Sequence, residues 1–156
     1  VGGEGTDTLS ACFLIFTDFP DGTRPVGKFR NNICTGGTNA ARYALFEAEA
    51  GDTTTEPEPK VFTNNDVSLP TLIPDTTFVY RDVGKDSVTL YSTADLNVMP
   101  NGENNFGAPP LFTNGQLLPS SLCVDKGVQD DGPGHDIDNE ARPMGSNYDV
   151  GPDEVK

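Results

Sequence analysis

The sequence predicts an all-β, loop-rich fold in one domain. Gly and Pro are frequent, with 17 and 13 residues, and Trp is absent, so turns should be common and long packed helices are not expected. The apolar run from Ala11 to Phe16 is rich in aromatic and branched residues and has the length of a buried strand. At 156 residues the chain is long enough for one domain with its own core.

The chain is strongly acidic. It has 24 acidic and 10 basic residues and a formal net charge of -14, which repels both nucleic acid and anionic membranes, so neither is an expected partner. Solubility explains such a surface most simply, and capture of Ca²⁺ by carboxylates is the alternative. No apolar stretch approaches the roughly 20 residues that span a bilayer, so no membrane span is expected.

Further strands are expected after the first one. The next candidate is Gly27 to Cys34. Ala40 to Ala50 has a helix-forming composition, but its side chains also fit the alternation of a strand, which we favour. Gly51 to Pro59 is polar, acidic and contains Pro, which predicts a solvated loop before a strand at Lys60 to Phe62.

The second half of the chain should change from strands to loops. Phe78 to Asp82 and Ser87 to Tyr91 are strand candidates, and Thr93 to Val98 is expected to form one helical turn after a cap at Ser92 or Thr93. From Asn101 onward, loops with apolar anchors are expected.

A short motif recurs along the chain and indicates an irregular solenoid. It reads Phe29-Arg30-Asn31-Asn32-Ile33, then Phe62-Thr63-Asn64-Asn65-Asp66-Val67, then Asn104-Asn105-Phe106. Successive Asn pairs are 33 and 40 residues apart, as in a repeat protein with loop insertions. Asn tolerates left-handed backbone angles, and stacked Asn side chains can hydrogen-bond along a solenoid axis. We therefore assign a structural role to Asn32, Asn65 and Asn105, with ordinary Asn-rich turns as the simpler alternative.

The three cysteines, Cys12, Cys34 and Cys123, cannot all pair within one chain, and none has the Cys-x-x-Cys spacing of a metal or redox site. Cys12 and Cys34 lie in or beside apolar runs. Buried free thiols are therefore the favoured interpretation, and a bridge between Cys12 and Cys34 is the alternative.

Three motifs near the C-terminus occur in a fixed order. They are Ala108-Pro-Pro-Leu-Phe112, Ser120-Ser-Leu-Cys-Val-Asp-Lys-Gly127 and Asp136-Ile-Asp-Asn-Glu-Ala-Arg-Pro-Met-Gly-Ser-Asn-Tyr-Asp-Val-Gly-Pro-Asp-Glu154. They resemble the closing region of bacterial right-handed parallel β-helix surface proteins, of the type called choice-of-anchor Q. The family strings run approximately Ala-Asp-Pro-Leu-Phe, Ser-Pro-Cys-Ile-Asp-x-Gly and Asp-Ile-Asp-Gly-x-x-Arg-Pro-x-Gly-x-x-x-Asp-Ile-Gly-Ala-x-Glu. Leu122, Asn139, Glu140 and Pro152 depart from that pattern.

The resemblance implies the final coils of a right-handed parallel β-helix over residues 1–103 and a loop-rich C-terminal cap over residues 104–156, as one continuous domain. It also implies an extracellular or bacterial cell-surface location. The first coil would be covered by upstream β-helix coils or by another protein chain. A polar cap would protect the exposed edge of the last coil from aggregation.

Arg142 is the only cation among the acidic residues of the last motif, and its planar guanidinium can hold a carboxylate in a bidentate manner. We predict that Arg142 pairs with Asp138, Asp149 or Glu154 as a structural clasp.

The segment from Asp130 to Asp138 is rich in oxygen ligands but lacks the spacing of an EF-hand loop. A turn is the favoured interpretation, and a Ca²⁺ site at Asp130, Asp131, Asp136 and Asp138 is the alternative. No other cofactor is expected. His135, the single histidine, is expected to be a surface turn residue, because no nucleophile accompanies it.

No catalytic residues are identified in this chain. The favoured function is a non-catalytic extracellular module for surface adhesion or assembly, with polysaccharide as a candidate partner. The alternative is the C-terminal cap of a polysaccharide-degrading β-helix enzyme whose active site lies upstream.

Overall fold

The structure is a computed structural model that describes residues 10–17, 27–35, 42–49, 61–68, 77–82, 89–90, 92–129 and 132–155. Side chains are described for 27–35, 61–68, 90, 92–129 and 132–155. The described chain is mostly strand and loop with little helix, so the predicted all-β class is confirmed for this part of the chain.

The elements follow one another in short segments. The strands are β1 (Ser10–Thr17), β2 (Lys28–Arg30), β3 (Ile33–Thr35), β4 (Arg42–Glu49), β5 (Val61–Thr63), β6 (Asp66–Ser68), β7 (Thr77–Asp82), β8 (Thr89–Leu90), β9 (Gly102–Glu103), β10 (Phe112–Thr113) and β11 (Gln116–Leu117), and the helix is α1 (Thr93–Leu96). The strand predicted within Ala40 to Ala50 is confirmed by β4, and the predicted helical turn is confirmed by α1. Ser92 caps α1 in a capping box with Asp95.

Three parallel sheets are built from strands that recur in the same order. The first joins β1, β4 and β7, the second joins β2, β5 and β9, and the third joins β3 and β6. Phe29 pairs with Phe62 in the second sheet, and Cys34 pairs with Val67 in the third. Successive strand–turn–strand units are therefore stacked in register. The first sheet ends at β8, which is antiparallel to β7.

Each unit turns at an asparagine pair. Asn31, Asn64 and Asn104 have φ values of 56°, 55° and 55°, the left-handed conformation that Asn adopts more readily than most residues. The prediction of one strand from Gly27 to Cys34 is wrong, because the left-handed Asn31 ends β2 and lets β3 begin two residues later. In the third unit, Phe106 forms a parallel bridge with Asp66 at the place where a third strand would extend the sheet of β3 and β6.

The described core has two parts. Phe29 and Phe62 pack inside adjacent units with ring centroids 6.0 Å apart. A second cluster of Leu117, Cys123 and Val150 packs against Ile33 and Phe106, so C-terminal residues contact the residues that follow the turns of the first and third units. The C-terminal chain therefore lies along the side of the stacked units.

The C-terminal region is held together mainly by turns. Its one hairpin among the described residues joins β10 to β11 through Asn114 and Gly115, which have φ values of 54° and 88°. Between 118 and 155, the described residues contain no named strand, as expected from the sequence.

Cys34 is disulfide-bonded, so the prediction of a free thiol is wrong for this residue. The alternative pairing involves the side chain of Cys12, which lies outside the described residues. Cys123 is a buried free thiol, and no sulfhydryl partner is within reach of it among the described residues.

Candidate functional site

The asparagine pairs form a continuous side-chain ladder. The Asn65 carboxamide oxygen accepts the backbone N–H and the side-chain amide of Asn32 at 3.1 and 3.0 Å. The Asn105 oxygen accepts the same two donors of Asn65 at 3.1 and 3.0 Å. We call Asn32, Asn65, Asn105 and Asn97 the asparagine ladder.

Asn97, the residue that follows α1, closes the ladder. Its carboxamide oxygen accepts the backbone N–H and side-chain amide of Asn105 at 2.8 and 2.9 Å. Its own amide donates back to the Asn105 carbonyl at 2.8 Å. Because Asn97 donates back to Asn105, the ladder of asparagine side chains ends at Asn97 among the described residues.

The ladder also ties each turn to the preceding unit. Asn65 donates to the Phe29 carbonyl at 3.0 Å, and Asn105 donates to the Phe62 carbonyl at 2.8 Å. Asn65 is fully buried, so its amide replaces water for backbone groups that would otherwise lack partners. The predicted residues Asn32, Asn65 and Asn105 thus lie together as hydrogen-bonding partners.

A second cluster of polar side chains lies in the C-terminal region. We call Asp125, Asp136, Asp149, Asp153 and Glu154 the carboxylate network, because each of them accepts backbone N–H groups of residues 117–155. Asp149 accepts the N–H groups of Asp125 and Val155 at 2.7 and 2.8 Å, and Asp153 accepts that of Leu117 at 2.6 Å. In a segment with few strand hydrogen bonds, these acids satisfy backbone donors that a sheet would otherwise pair.

Arg142 is the cation of this region. Its Nε donates to Glu154 Oε1 at 2.7 Å, and the side chains of the two residues are 7% and 0% exposed. Its terminal NH₂ donates to the carbonyls of Asp149 and Gly151 at 2.9 and 3.2 Å, and the guanidinium lies 4.8 Å from the centre of the Tyr148 ring. Of the three acids predicted for Arg142, Glu154 is the partner. Asp149 is reached through its backbone, and Asp138 instead accepts from Gln116 at 3.1 Å.

The carboxylates do not titrate alike. Burial is the largest influence on Asp149 and raises its pKa above the ordinary value, although two N–H donors oppose it. Desolvation also acts to raise the pKa of Asp136, but the N–H groups of Glu140, Glu154 and Asp138 and the charge of Arg142 together lower it.

Asp66 joins the asparagine turn of the second unit to the C-terminal region. It follows Asn65 in the ladder turn, and its carboxylate accepts the Ala108 N–H at 3.0 Å and the Cys123 thiol at 3.3 Å. Burial raises the pKa of Asp66. Burial also raises the pKa of Cys123 to about 12, against an opposing hydrogen bond with Ser121, and the charge of Asp66 adds to the increase. Such a thiol is protonated and a poor nucleophile at neutral pH.

The predicted Ca²⁺ ligands are not assembled as a cation cage in the described residues. Both oxygens of Asp136 accept backbone N–H groups, and Asp138 is exposed and bonded to Gln116. No group of three or more His, Cys, Asp or Glu side chains in this part of the chain is placed to hold a metal ion. Asp130 and Asp131 lie outside the described residues. His135 is exposed, in a bridge with Ala141.

Sequence reasoning missed Asn97, Asp66 and Asp125. Asn97 lies outside the repeat, and only its position directly after the capped helical turn would have indicated a role for it. Asp66 directly follows the second asparagine pair, and Asp125 lies inside the Ser120 to Gly127 motif. Their partners, Ala108 and Asn147, are separated from them by intervals that no motif indicates.

The C-terminal chain contacts the ladder turns from the side. Asn31 donates to the Val128 carbonyl at 2.9 Å and accepts the Val128 N–H at 2.8 Å. Asn64 donates to the Lys126 carbonyl at 2.9 Å, and the Gly151 N–H donates to the Asn31 carbonyl at 2.8 Å. In the first two pairs, the first asparagine thus binds the C-terminal chain, whereas the second builds the ladder.

In the described part of the chain, no helix has the length and apolar character needed to cross a bilayer. No protein-family model, curated protein or solved structure matches the chain, so the arrangement of its own residues must support any function assigned to it.

Proposed function

We propose that this chain is the C-terminal end of a right-handed parallel β-helix and that it acts as a non-catalytic extracellular module for adhesion or assembly. The coils would occupy residues 1–103 and the cap residues 104–156. The asparagine ladder is the observation that carries the proposal, because it links three successive parallel strand–turn–strand units at one equivalent position.

The β-helix assignment is supported by the sheet order. Along the chain, successive strands belong to the first, the second and the third sheet, and the next strand belongs to the first sheet again. The chain between two neighbouring strands of one sheet is therefore a crossover that joins parallel strands. Such crossovers are right-handed in about 98% of cases. A stack of units that contact only their neighbours is also the usual form of a solenoid.

The non-catalytic role is supported by how the acids are used. Acid–base hydrolysis of a sugar chain needs two carboxyl groups that can reach substrate. In the carboxylate network, Asp149 and Glu154 are buried and hold backbone N–H groups and Arg142. These carboxyl groups therefore stabilise the fold.

An extracellular location is supported by the disulfide of Cys34, since disulfides persist in oxidising compartments. The net charge of -14 suits a soluble surface module that avoids anionic membranes.

The proposal is tested by incubating the folded chain with a panel of immobilised neutral and acidic polysaccharides. Binding is followed by biolayer interferometry, and chain cleavage by an assay for new reducing ends and by absorbance of unsaturated products. We expect binding to at least one polysaccharide with no product, and heat-unfolded protein is the control for non-specific adsorption. Product release would reject the non-catalytic role in favour of a depolymerase.

A further inference from the structure

The sequence contains two Asn-Gly pairs, and the structure holds them differently. Asn101-Gly102 lies at the start of β9, and Asn114-Gly115 forms the turn between β10 and β11. In an Asn-Gly pair the glycine nitrogen can attack the asparagine carboxamide carbon, because glycine has no side chain to hinder the approach. The two pairs share this chemistry, so a difference in their reactivity must come from the folded structure around them.

The backbone of Asn101-Gly102 is held on both sides. The Gly102 N–H donates to the Met99 carbonyl at 3.1 Å, and the Asn101 carbonyl accepts the Phe62 N–H at 2.8 Å. A Cβ atom added to Gly102 would overlap the carbonyl oxygen of Leu96, so the chain is closely packed at this point. The Gly102 nitrogen must therefore lose its hydrogen bond and move against packed backbone before it can attack Asn101.

The turn at Asn114-Gly115 is open. Both residues are exposed, and nothing lies within 4 Å of a Cβ atom built on Gly115. The pairing of the hairpin begins on either side of the turn, at Thr113 and Gln116. Within the described residues, neither the Gly115 N–H nor the Asn114 carboxamide has a hydrogen-bond partner. The nitrogen and the carboxamide can therefore rotate toward each other without breaking a contact of their own.

We propose that Asn114 is a site of spontaneous deamidation and isoaspartate formation in the folded protein, and that the fold protects Asn101 from the same reaction. The Gly115 nitrogen loses its proton to solvent and bonds to the carboxamide carbon of Asn114, and the carboxamide nitrogen leaves as ammonia. Water then adds to one of the two carbonyls of the cyclic imide and opens it. The product is aspartate or isoaspartate, and the sum of the steps is the exchange of ammonia for water.

The modification has a structural consequence because the turn sets the register of the hairpin. Isoaspartate adds a carbon to the main chain between residues 114 and 115, and a two-residue turn cannot absorb it without a shift of the flanking strands. Leu117 of β11 is buried in the second cluster, and its N–H donates to Asp153 at 2.6 Å. The C-terminal region should therefore lose stability as isoaspartate accumulates at residue 114.

The test follows both pairs in one sample. The folded chain is incubated in warm, mildly alkaline buffer, and peptide mapping by mass spectrometry gives the deamidation rate at each asparagine. We expect Asn114 to react about tenfold faster than Asn101, because the attack at Asn101 must first break the hydrogen bond of Gly102. In guanidinium chloride, where the fold is lost, the two rates should become similar. Equal rates in the folded chain, or a difference that persists after unfolding, would overturn the proposal.

Two matched variants locate the product. Asn114→Gly removes the carboxamide and suits a turn whose residues have positive φ, and Asn101→Gly is the same change at the protected pair. Isoaspartate in the incubated folded chains is measured by methyl transfer from an isoaspartyl methyltransferase. Asn114→Gly should abolish most of the labelling and the fall in melting temperature on incubation, whereas Asn101→Gly should leave both unchanged. Undiminished labelling of Asn114→Gly would show that the isoaspartate lies elsewhere and would reject the site.

Discussion

The ladder turns and the C-terminal region satisfy buried backbone groups with different chemistry. In the turns, neutral carboxamides both donate and accept, so one side-chain type links unit to unit, as Asn65 does between Asn32 and Asn105. In residues 117–155, the carboxylate oxygens accept backbone N–H groups, and a single carboxylate can collect more than one of them, as Asp149 does for Asp125 and Val155. The first arrangement is repeatable along an axis, whereas the second suits irregular chain.

The two arrangements should respond differently to acid. A carboxamide does not titrate, so the asparagine ladder keeps its hydrogen bonds at any moderate pH. The carboxylate network contains shifts of both signs, because the pKa of Asp136 is lowered and that of Asp149 is raised. A carboxyl group whose pKa is lowered by folding loses its stabilising effect as the pH falls. A carboxyl group whose pKa is raised by folding loses its stabilising effect as the pH rises.

The largest effect is expected for Arg142→Ala, which removes contacts within the C-terminal region and leaves the asparagine ladder intact. Glu154 would remain buried without its cation, and the carbonyls of Asp149 and Gly151 would lose a donor. Loss of one partner of a buried pair costs about 3 to 5 kcal/mol, and we expect that loss in the free energy of unfolding from urea titration. Arg142→Lys, which keeps the charge but not the planar fork, should lose less. An unchanged stability for Arg142→Ala would contradict the clasp.

A slightly smaller effect is expected for Asn65→Leu, which breaks the ladder at its centre. The substitution removes two donated and two accepted side-chain bonds at a fully buried position. Leaving several buried groups without partners should lower the free energy of unfolding by about 3 kcal/mol.

Asn147→Leu is the matched control for Asn65→Leu, because the Asn147 side chain is exposed and only its backbone N–H is bonded. It should change stability by less than about 0.5 kcal/mol. If both variants lost the same stability, the ladder would not be the source of the effect.

The two ends of the ladder should differ from its centre. Asn97→Ala removes the acceptor of Asn105, and Asn32→Ala removes donors but no acceptor in use. We expect losses of about 2 kcal/mol for Asn97→Ala and about 1 kcal/mol for Asn32→Ala in thermal unfolding followed by circular dichroism. A larger loss for Asn32→Ala than for Asn97→Ala would contradict this order.

The ladder could be predicted from the sequence, and most of the carboxylate network could not. The Asn pairs recur at a common place relative to Phe29 and Phe62, and the chemistry of Asn indicates both the turn and the stacking. Arg142 was predictable as the single cation among acids. The partners of Asp66 and Asp125 were not, because a carboxylate that collects N–H groups from irregular chain imposes no periodicity on the sequence. The end of the ladder at Asn97 was missed because Asn97 lies outside the repeated motif.

The smallest predicted change concerns Asp66, at the junction of the two regions. Burial raises its pKa above the ordinary value of 3.8, so the folded chain binds a proton at this site more tightly than the unfolded chain does. The contribution of Asp66 to stability must therefore decrease as the pH rises from 3.8 through the pKa of the folded state. Asp66→Asn keeps an oxygen for the Ala108 N–H and removes the buried charge.

Urea unfolding at a series of pH values from about 3 to about 7 tests the sign of this effect. The stability of Asp66→Asn relative to the parent chain should increase with pH in the window above 3.8 and then level off. Asp136→Asn is the control of opposite sign: because the pKa of Asp136 is lowered, that variant should lose stability relative to the parent as the pH rises toward 3.8. Parallel curves for Asp66→Asn and the parent chain would mean that the Asp66 carboxylate is hydrated in the folded protein, and the close contact with Cys123 would then have to open in solution.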